Sequence, residues 1–307
     1  MIYDFLVAGF PKCGTTTCHN LLRQNPQIYL PDCKETFYFS KSYSHRNKSE
    51  DLEKNFYGNR RPGQKVGGVE PSFARYAKRV RPCIDANTKV IFLIRNPIEY
   101  IFSYFEMCMS FGVRDWYDAY CSCGSFSGIV REYIKPENGQ VNLRRKNSVI
   151  TSAIKNGRYI NSILEYKKIT GDENLKIILF EDFILDEIGT IDAICRMIGV
   201  KSRPLKMKVG TNKSQKIMPN SKVGRLLLEK RELLHHNYME NRKHINKMEM
   251  KLCDFYYRWI PAIASKHIEE QIDPSARRLL YRYYDQSVKE LQKLIDVNLE
   301  DKWNWRL

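Results

Sequence analysis

The stretch that decides the fold reads Phe5-Leu6-Val7-Ala8-Gly9-Phe10-Pro11-Lys12-Cys13-Gly14-Thr15-Thr16-Thr17. It starts as a short apolar run closed by a glycine, the pattern of a strand buried on both faces. It ends by opening a helix that carries Cys18, Leu21 and Leu22 on one face. Between strand and helix stands Gly-x-x-x-x-Gly followed by hydroxyl residues, the skeleton of a phosphate-binding loop. In such a loop backbone N–H groups and a helix N-terminus surround an anion. The nucleotide-hydrolysing form places a lysine directly after the second glycine. Here Thr15 stands there, and the cation is Lys12, before Gly14. The loop still suits a diphosphate-like group but lacks the usual lysine for a transferring γ-phosphate.

Working outward, Val90 to Ile94 and Leu175 to Phe180 are further short apolar runs bounded by polar residues. Gly67 to Val69 reads as the end of another short strand. Each of the longer runs is followed by residues fit for chemistry: the loop at 9–16, then Arg95-Asn96-Pro97, then Glu181-Asp182. Open parallel sheets bind ligands outside the carboxyl ends of their strands, so these signals converge on one edge. A helix begins with Asn96 as N-cap and Pro97 in its first turn, and continues through Ile98, Ile101, Phe102, Phe105 and Met109. Gly224 to Leu234 and a longer segment after Pro274 repeat apolar residues at helical spacing. The expected architecture is α/β: a P-loop-like parallel sheet of about five strands flanked by helices, forming a single domain over 1–307. Long loops are expected near 41–67 and 121–148, and a helical C-terminal part over 217–297.

Composition narrows the partners. The 307 residues hold 51 Lys+Arg against 35 Asp+Glu, a formal charge of +16 that favours anionic partners. Apolar runs fall far short of the roughly 18 residues that cross a bilayer. Met1 leads almost directly into the first strand, so the N-terminus reads as fold rather than a targeting signal. The nine cysteines form neither zinc spacing nor a disulfide framework, and a reducing, cytoplasmic setting is expected. No clustered His/Cys/Asp set has metal spacing, so no metal is expected.

Pro11-Lys12-Cys13-Gly14-Thr15-Thr16 resembles the 5'-phosphosulfate loop of the sulfotransferase family, whose donor is 3'-phosphoadenosine-5'-phosphosulfate (PAPS). Ile94-Arg95-Asn96-Pro97 with Ser103 resembles that family's 3'-phosphate motif. Pro31-Asp32-Cys33-Lys34-Glu35-Thr36-Phe37-Tyr38-Phe39 is similar to the Lys-Glu segment of carbohydrate members, the heparan-sulfate-type and bacterial enzymes. Asn156-Gly157-Arg158-Tyr159, Leu179-Phe180-Glu181-Asp182-Phe183, Gly210-Thr211-Asn212-Lys213-Ser214 and Asn298 to Trp303 follow in the family's order. The resemblance spans nearly the whole chain. It implies a sulfuryl transfer from PAPS to the hydroxyl, or as second choice the amine, of a carbohydrate, leaving 3'-phosphoadenosine 5'-phosphate (PAP).

By the same resemblance the donor is held by Pro11, Lys12, Cys13, Gly14, Thr15, Thr16, Thr17, Arg95, Ser103, Tyr159, Asn212 and Lys213. Glu35 is the base, with Lys12 and Lys34 on the reacting groups. Physical chemistry agrees in part: an Arg at a strand end meets a phosphate bidentately, and a base of ordinary pKa near 4.3 needs burial to work near neutrality. Glu70, closing Gly67-Gly68-Val69-Glu70, is the rival base. Many carbohydrate members carry a lysine near that place; here none stands there. Tyr100 replaces a basic residue the family often has. His19, His45, His235 and His236 do not follow strand ends and are read as packed or surface residues. The basic run from Lys201 to Arg231, opposed only by Glu229, is either a solvated face or a wall for an anionic glycan. Two other readings remain open: a P-loop kinase of a small molecule or nucleotide, and a non-enzymatic polyanion binder. Neither nucleic-acid specificity nor a membrane span is expected.

Overall fold

In the computed structural model, residues 2–40, 49–134, 148–204, 216–241 and 247–305 are described. They fall into two compact units. The first comprises Met1–Asn96, Tyr159–Asn212 and Lys293–Asp296; the second comprises Pro97–Arg158, Lys213–Gln292 and Val297–Leu307.

The first unit is built on β1 (Phe5–Gly9), β2 (Ile28–Tyr29), β3 (Lys65–Val69), β4 (Lys89–Ile94) and β5 (Leu175–Leu179). They form one all-parallel sheet in the order β2-β3-β1-β4-β5. Register pairs Phe5 with Gly67 on one side and with Lys89 on the other, which brings the ends of β1, β3 and β4 to a common edge. Both β1 and β4 are buried along their length apart from Lys89, because helices cover both faces of a parallel sheet. α1 (Thr15–Leu22) buries the face expected for it, with Cys18, Leu21 and Leu22 inside. The Tyr166 ring stacks edge-on against Phe92 of β4, and its hydroxyl donates to the Phe73 carbonyl at 2.9 Å.

Three expectations are corrected in this unit. The strand read as Leu175 to Phe180 ends at Leu179, and Phe180 opens a short helix, Phe180–Leu185. The two-residue β2 was not expected; so short a strand leaves no periodic signal. Residues 41–67 are not one loop: a helical segment runs from Ser49 to Tyr57, and β3 starts at Lys65. Its polar composition hides the two residues that anchor it, Leu52 and Tyr57, both buried.

The second unit is mostly helical. α2 (Pro97–Ser110) buries Ile98, Ile101, Phe105 and Met109 as the spacing predicts. α3 (Arg114–Cys123) and α4 (Phe126–Tyr133) occupy the first part of the loop expected at 121–148, and residues 135–147 lie outside those described. The 3, 4, 7 spacing of Phe126, Ile129, Val130 and Tyr133, with Ser125 accepting from the Gly128 amide at 3.0 Å, makes that helix. Phe102, Phe105, Trp116 and Phe126 form an aromatic cluster. α5 (Lys222–Asn241), α6 (Lys247–Ala264) and α7 (Pro274–Ile295) supply the helical C-terminal part. An antiparallel pair, β6 (Ile217–Pro219) with β7 (Ser265–His267), interrupts it. No helix among the described residues is long and apolar enough to cross a membrane.

Candidate active site

The loop between β1 and α1 is shaped by two glycines. Gly14 takes φ +86°, ψ 7° as the residue before the helix, a left-handed conformation that a side chain disfavours. A Cβ there would also stand 3.0 Å from both Phe180 and Phe183. At Gly9 a Cβ would lie 2.5 Å from the Thr15 methyl. Without these glycines the loop could not fold back on its own helix. Lys12 completes the turn at φ +66°, unusual for a residue with a side chain and the kind of strain that collects at functional sites. The Cys13 amide donates to the Phe10 carbonyl at 3.2 Å. No side chain caps the first turn of α1. Its N–H groups and the positive end of the helix dipole are therefore available to an anion. The residues fit a phosphate or phosphosulfate group.

Arg95 leaves the end of β4, with its guanidinium 4.9 Å from the centroid of the Phe180 ring. The same ring lies against Gly14, so Phe180 ties the phosphate loop to Arg95. The turn after Arg95 is held by Glu181, whose Oε1 accepts from the Asn96 amide at 3.0 Å. Glu181, read from sequence as a residue of the chemical edge, thus shapes the arginine's turn. Cys13 is fully buried, and burial pushes its thiol up to about 12 against the opposing charge of Arg95. It stays protonated and is no nucleophile. Tyr159 is buried against Phe10, ring centroids 4.6 Å apart, so it backs the loop from inside.

The profile of the sulfotransferase domain matches residues 3–249. The chain belongs to the sulfotransferase family. No curated protein matches its sequence. Among solved structures it is similar to the sulfotransferase from Alicyclobacillus acidocaldarius, with TM-score 0.60, 18% identity and full coverage of both chains. The sulfotransferase domain from the curacin biosynthetic pathway is matched with TM-score 0.46 and 14% identity, over 93% of this chain and 97% of that one. Retinol dehydratase in complex with androsterone and PAP is matched with TM-score 0.40 and 11% identity, over 97% and 83%. The first of these shows the fold, and the family makes the chain a PAPS-dependent sulfotransferase.

This sulfotransferase carries two further carboxylates in opposite settings, one in the Lys34-Glu35 segment and one at the end of β3. Glu35 has a side chain 38% exposed, and its Oε1 accepts from Lys34 Nζ at 2.7 Å. Lys34 is more enclosed, at 15%, and its charge reaches both Cys18 and His19 of α1. Glu70 follows β3 and is 1% exposed. Its Oε2 accepts from the Thr36 amide at 2.8 Å and the Thr36 hydroxyl at 2.9 Å, and its Oε1 from the Ser72 hydroxyl. Burial pushes the Glu70 carboxyl upward, those hydrogen bonds hold it back, and the charge of Glu35 adds to the rise. The burial that the sequence reading required of Glu35 is thus found at Glu70 instead.

His19 is buried in α1, and burial, with the charge of Lys34, lowers its pKa to about 4; it is neutral near pH 7 and packed. In the second unit Ser103 is buried on α2, and Tyr100 is buried with its hydroxyl donating to the Ala153 carbonyl at 3.3 Å. Asn212 and Lys213 lie outside the described residues. Among the described residues no His/Cys/Asp/Glu group is arranged to hold a metal. Sequence reasoning missed Phe180 as the link between loop and arginine, and Thr36 as the partner of Glu70. Phe180 stands in the Leu179 to Phe183 segment, which gave it no role; Thr36 directly follows the Lys-Glu pair.

Proposed function

We propose that this sulfotransferase moves the sulfuryl group of PAPS to the hydroxyl of a carbohydrate acceptor, with Glu35 as the base. The observation that carries the reading is the pairing of an uncapped, glycine-shaped anion loop with an accessible carboxylate held by a lysine. In this reading Glu35 takes the acceptor's proton as the oxygen attacks sulfur. The new S–O bond forms in line with the S–O bond to the 5'-phosphate, which breaks and leaves its electron pair on the departing phosphate oxygen. Lys12 and the N–H groups around Gly14, Thr15, Thr16 and Thr17 stabilise the charge that develops there. Lys34 steadies Glu35 and faces the sulfonate. Pro11 and Cys13 shape the loop.

Arg95 takes the 3'-phosphate through its planar fork. The parts given to Ser103, Tyr159, Asn212 and Lys213 rest on the sequence pattern alone, and for Tyr159 burial argues for support of the loop. The carbohydrate acceptor, an anionic glycan among the candidates, is supported by the Lys34-Glu35 segment and the net charge of +16. A cytoplasmic location is supported by the cysteines, whose described members are free thiols.

The test supplies ³⁵S-labelled PAPS to the purified protein with a panel of uncharged and anionic oligosaccharides, amino sugars, phenols and aliphatic alcohols. Transfer to a saccharide hydroxyl supports the proposal. Transfer confined to phenols or simple alcohols sinks the acceptor class. Full turnover by Glu35→Gln sinks the base.

A further inference from the structure

We propose that Glu70 is a positioning residue: its carboxylate holds Thr36 and thereby fixes Glu35, the preceding residue, relative to the donor loop. The inference rests on reading Glu35 as the base. Glu70 leaves β3 directly after Val69, which is paired with Val7 of β1, and its amide donates to the Val7 carbonyl at 3.3 Å. Its backbone is therefore locked to the strand from which the donor loop departs. Its side chain reaches across to the Lys34-Glu35 segment and takes both donors of Thr36, amide and hydroxyl, on one oxygen. The Thr36 hydroxyl accepts in turn from the Tyr38 amide at 3.4 Å. Phe37 between them sits at φ +49°, a conformation a free chain avoids. The segment that carries Glu35 is thus bent into a form that the Glu70 carboxylate holds in place.

The same contacts make Glu70 a poor base. Both of its oxygens are engaged by donors and the side chain is closed to solvent, whereas Glu35 is open on one side. A base acts only on a proton within hydrogen-bond reach. A glutamine at 70 separates the two roles. It keeps an acceptor oxygen for Thr36, and its NH₂ donates to the Ser72 hydroxyl, which serves as acceptor as well as donor. It has no basicity.

The experiment compares Glu70→Ala, Glu70→Gln, Thr36→Val and Glu35→Gln. Turnover is measured with the acceptor chosen from the panel, or with water as acceptor where none is chosen. PAP affinity is measured by calorimetry, and backbone hydrogen exchange is followed across 33–39 and 5–17. Glu70→Ala is expected to lower kcat about 10- to 100-fold, the scale of a misplaced catalytic group. Its PAP affinity should be kept, with exchange accelerated at Thr36 and Tyr38 but not in β1. Glu70→Gln should restore both kcat and protection. Should Glu70→Ala fail to fold, Thr36→Val removes only the hydroxyl and is expected to lower kcat and speed exchange at Tyr38 in the same direction. The positioning role is overturned if Glu70→Gln loses as much turnover as Glu70→Ala with exchange protection intact, for then the carboxylate itself is required. It is equally overturned if loosened exchange leaves kcat at the wild-type value. A Glu35→Gln enzyme with full turnover would instead refute the base.

Discussion

The carboxyl edge of the parallel sheet and the helical pair α5–α6 are built from similar residue types on opposite rules. In β1 and β4 every apolar residue is inside, and the polar groups gather where the strands end. Among the residues of α5–α6 whose burial is described, the apolar ones inside form one stripe, Leu228, Ile260 and Ala264. Meanwhile Phe255, Trp259 and Ile263 stand exposed at successive turns of α6, and Val223, Leu226 and Leu233 are exposed on α5. The cations differ in the same way. Lys12 and Arg95 are fixed by a strained turn and an aromatic ring, whereas Lys222 and Lys230 are exposed on α5. Arg231 breaks the rule for its region. It is buried, paired with Glu232 and 4.7 Å from the Tyr257 ring centroid, so the basic run is not wholly a solvated face. A strand covered on both faces converts composition directly into burial; a helix buried on one stripe does not.

The largest effect is expected at the sheet edge. In the proposed reading Lys12 stabilises the leaving phosphate, so Lys12→Ala should lower sulfuryl transfer about 10²- to 10³-fold, the cost of losing one charge-stabilising donor. PAP affinity should fall far less. Steady-state transfer from labelled PAPS and PAP calorimetry check both, and near-normal transfer would remove Lys12 from the chemistry. Next comes the buried stripe of the helical pair. Leu228 is 0% exposed, and Leu228→Ala should cost about 2–5 kcal/mol, the usual range for an emptied core site. Urea unfolding measures it, and a loss near zero would mean that α5 does not dock on α6 as described.

The edge was legible for the same reason that it is ordered. Phe5 to Gly9 and Val90 to Ile94 are runs without alternation, and the chemistry that follows each is fixed by strand-end geometry. The phosphate loop could be read because its glycines answer to sterics: Gly14 needs a positive φ and Gly9 meets Thr15. The setting of the two carboxylates could not. Whether Glu35 or Glu70 is buried depends on β3 lying beside β1, a pairing between distant parts of the chain. The part of Phe180 in tying the loop to Arg95 was not legible, because a residue at the end of an apolar run reads equally as strand or helix. In α5 the helical pattern is clear from Gly224 to Leu234, but the apolar residues outnumber the buried Leu228, so the inward face could not be chosen from sequence.

The titration of His19 sharpens the comparison from the sheet side. Its folded pKa, about 4, lies below the unfolded value near 6.5 because burial penalises the charged ring. Between those values the unfolded chain binds more protons than the folded one, so stability is present above pH 6.5 and is lost as pH falls. From pH 7 to pH 5 the loss from this one group should be about 2 kcal/mol. Unfolding free energies of the wild type and His19→Gln at both pH values isolate it, since the variant lacks the titrating ring. Equal pH slopes would show that the α1 packing opens to water.

The smallest effect is expected on the exposed stripe. Trp259 is 58% exposed, and its ring touches Phe255 on its own helix, centroids 5.6 Å apart. Replacing it by Gln removes little buried area and should change stability by no more than about 0.5 kcal/mol, as for surface positions generally. Set against Leu228→Ala, this contrast makes the one-stripe description of α5–α6 falsifiable. A loss of several kcal/mol at Trp259, measured by urea unfolding at two protein concentrations, would mean that the stripe is covered in solution. Dependence on concentration would assign the cover to a second copy of the chain, and independence to the chain itself.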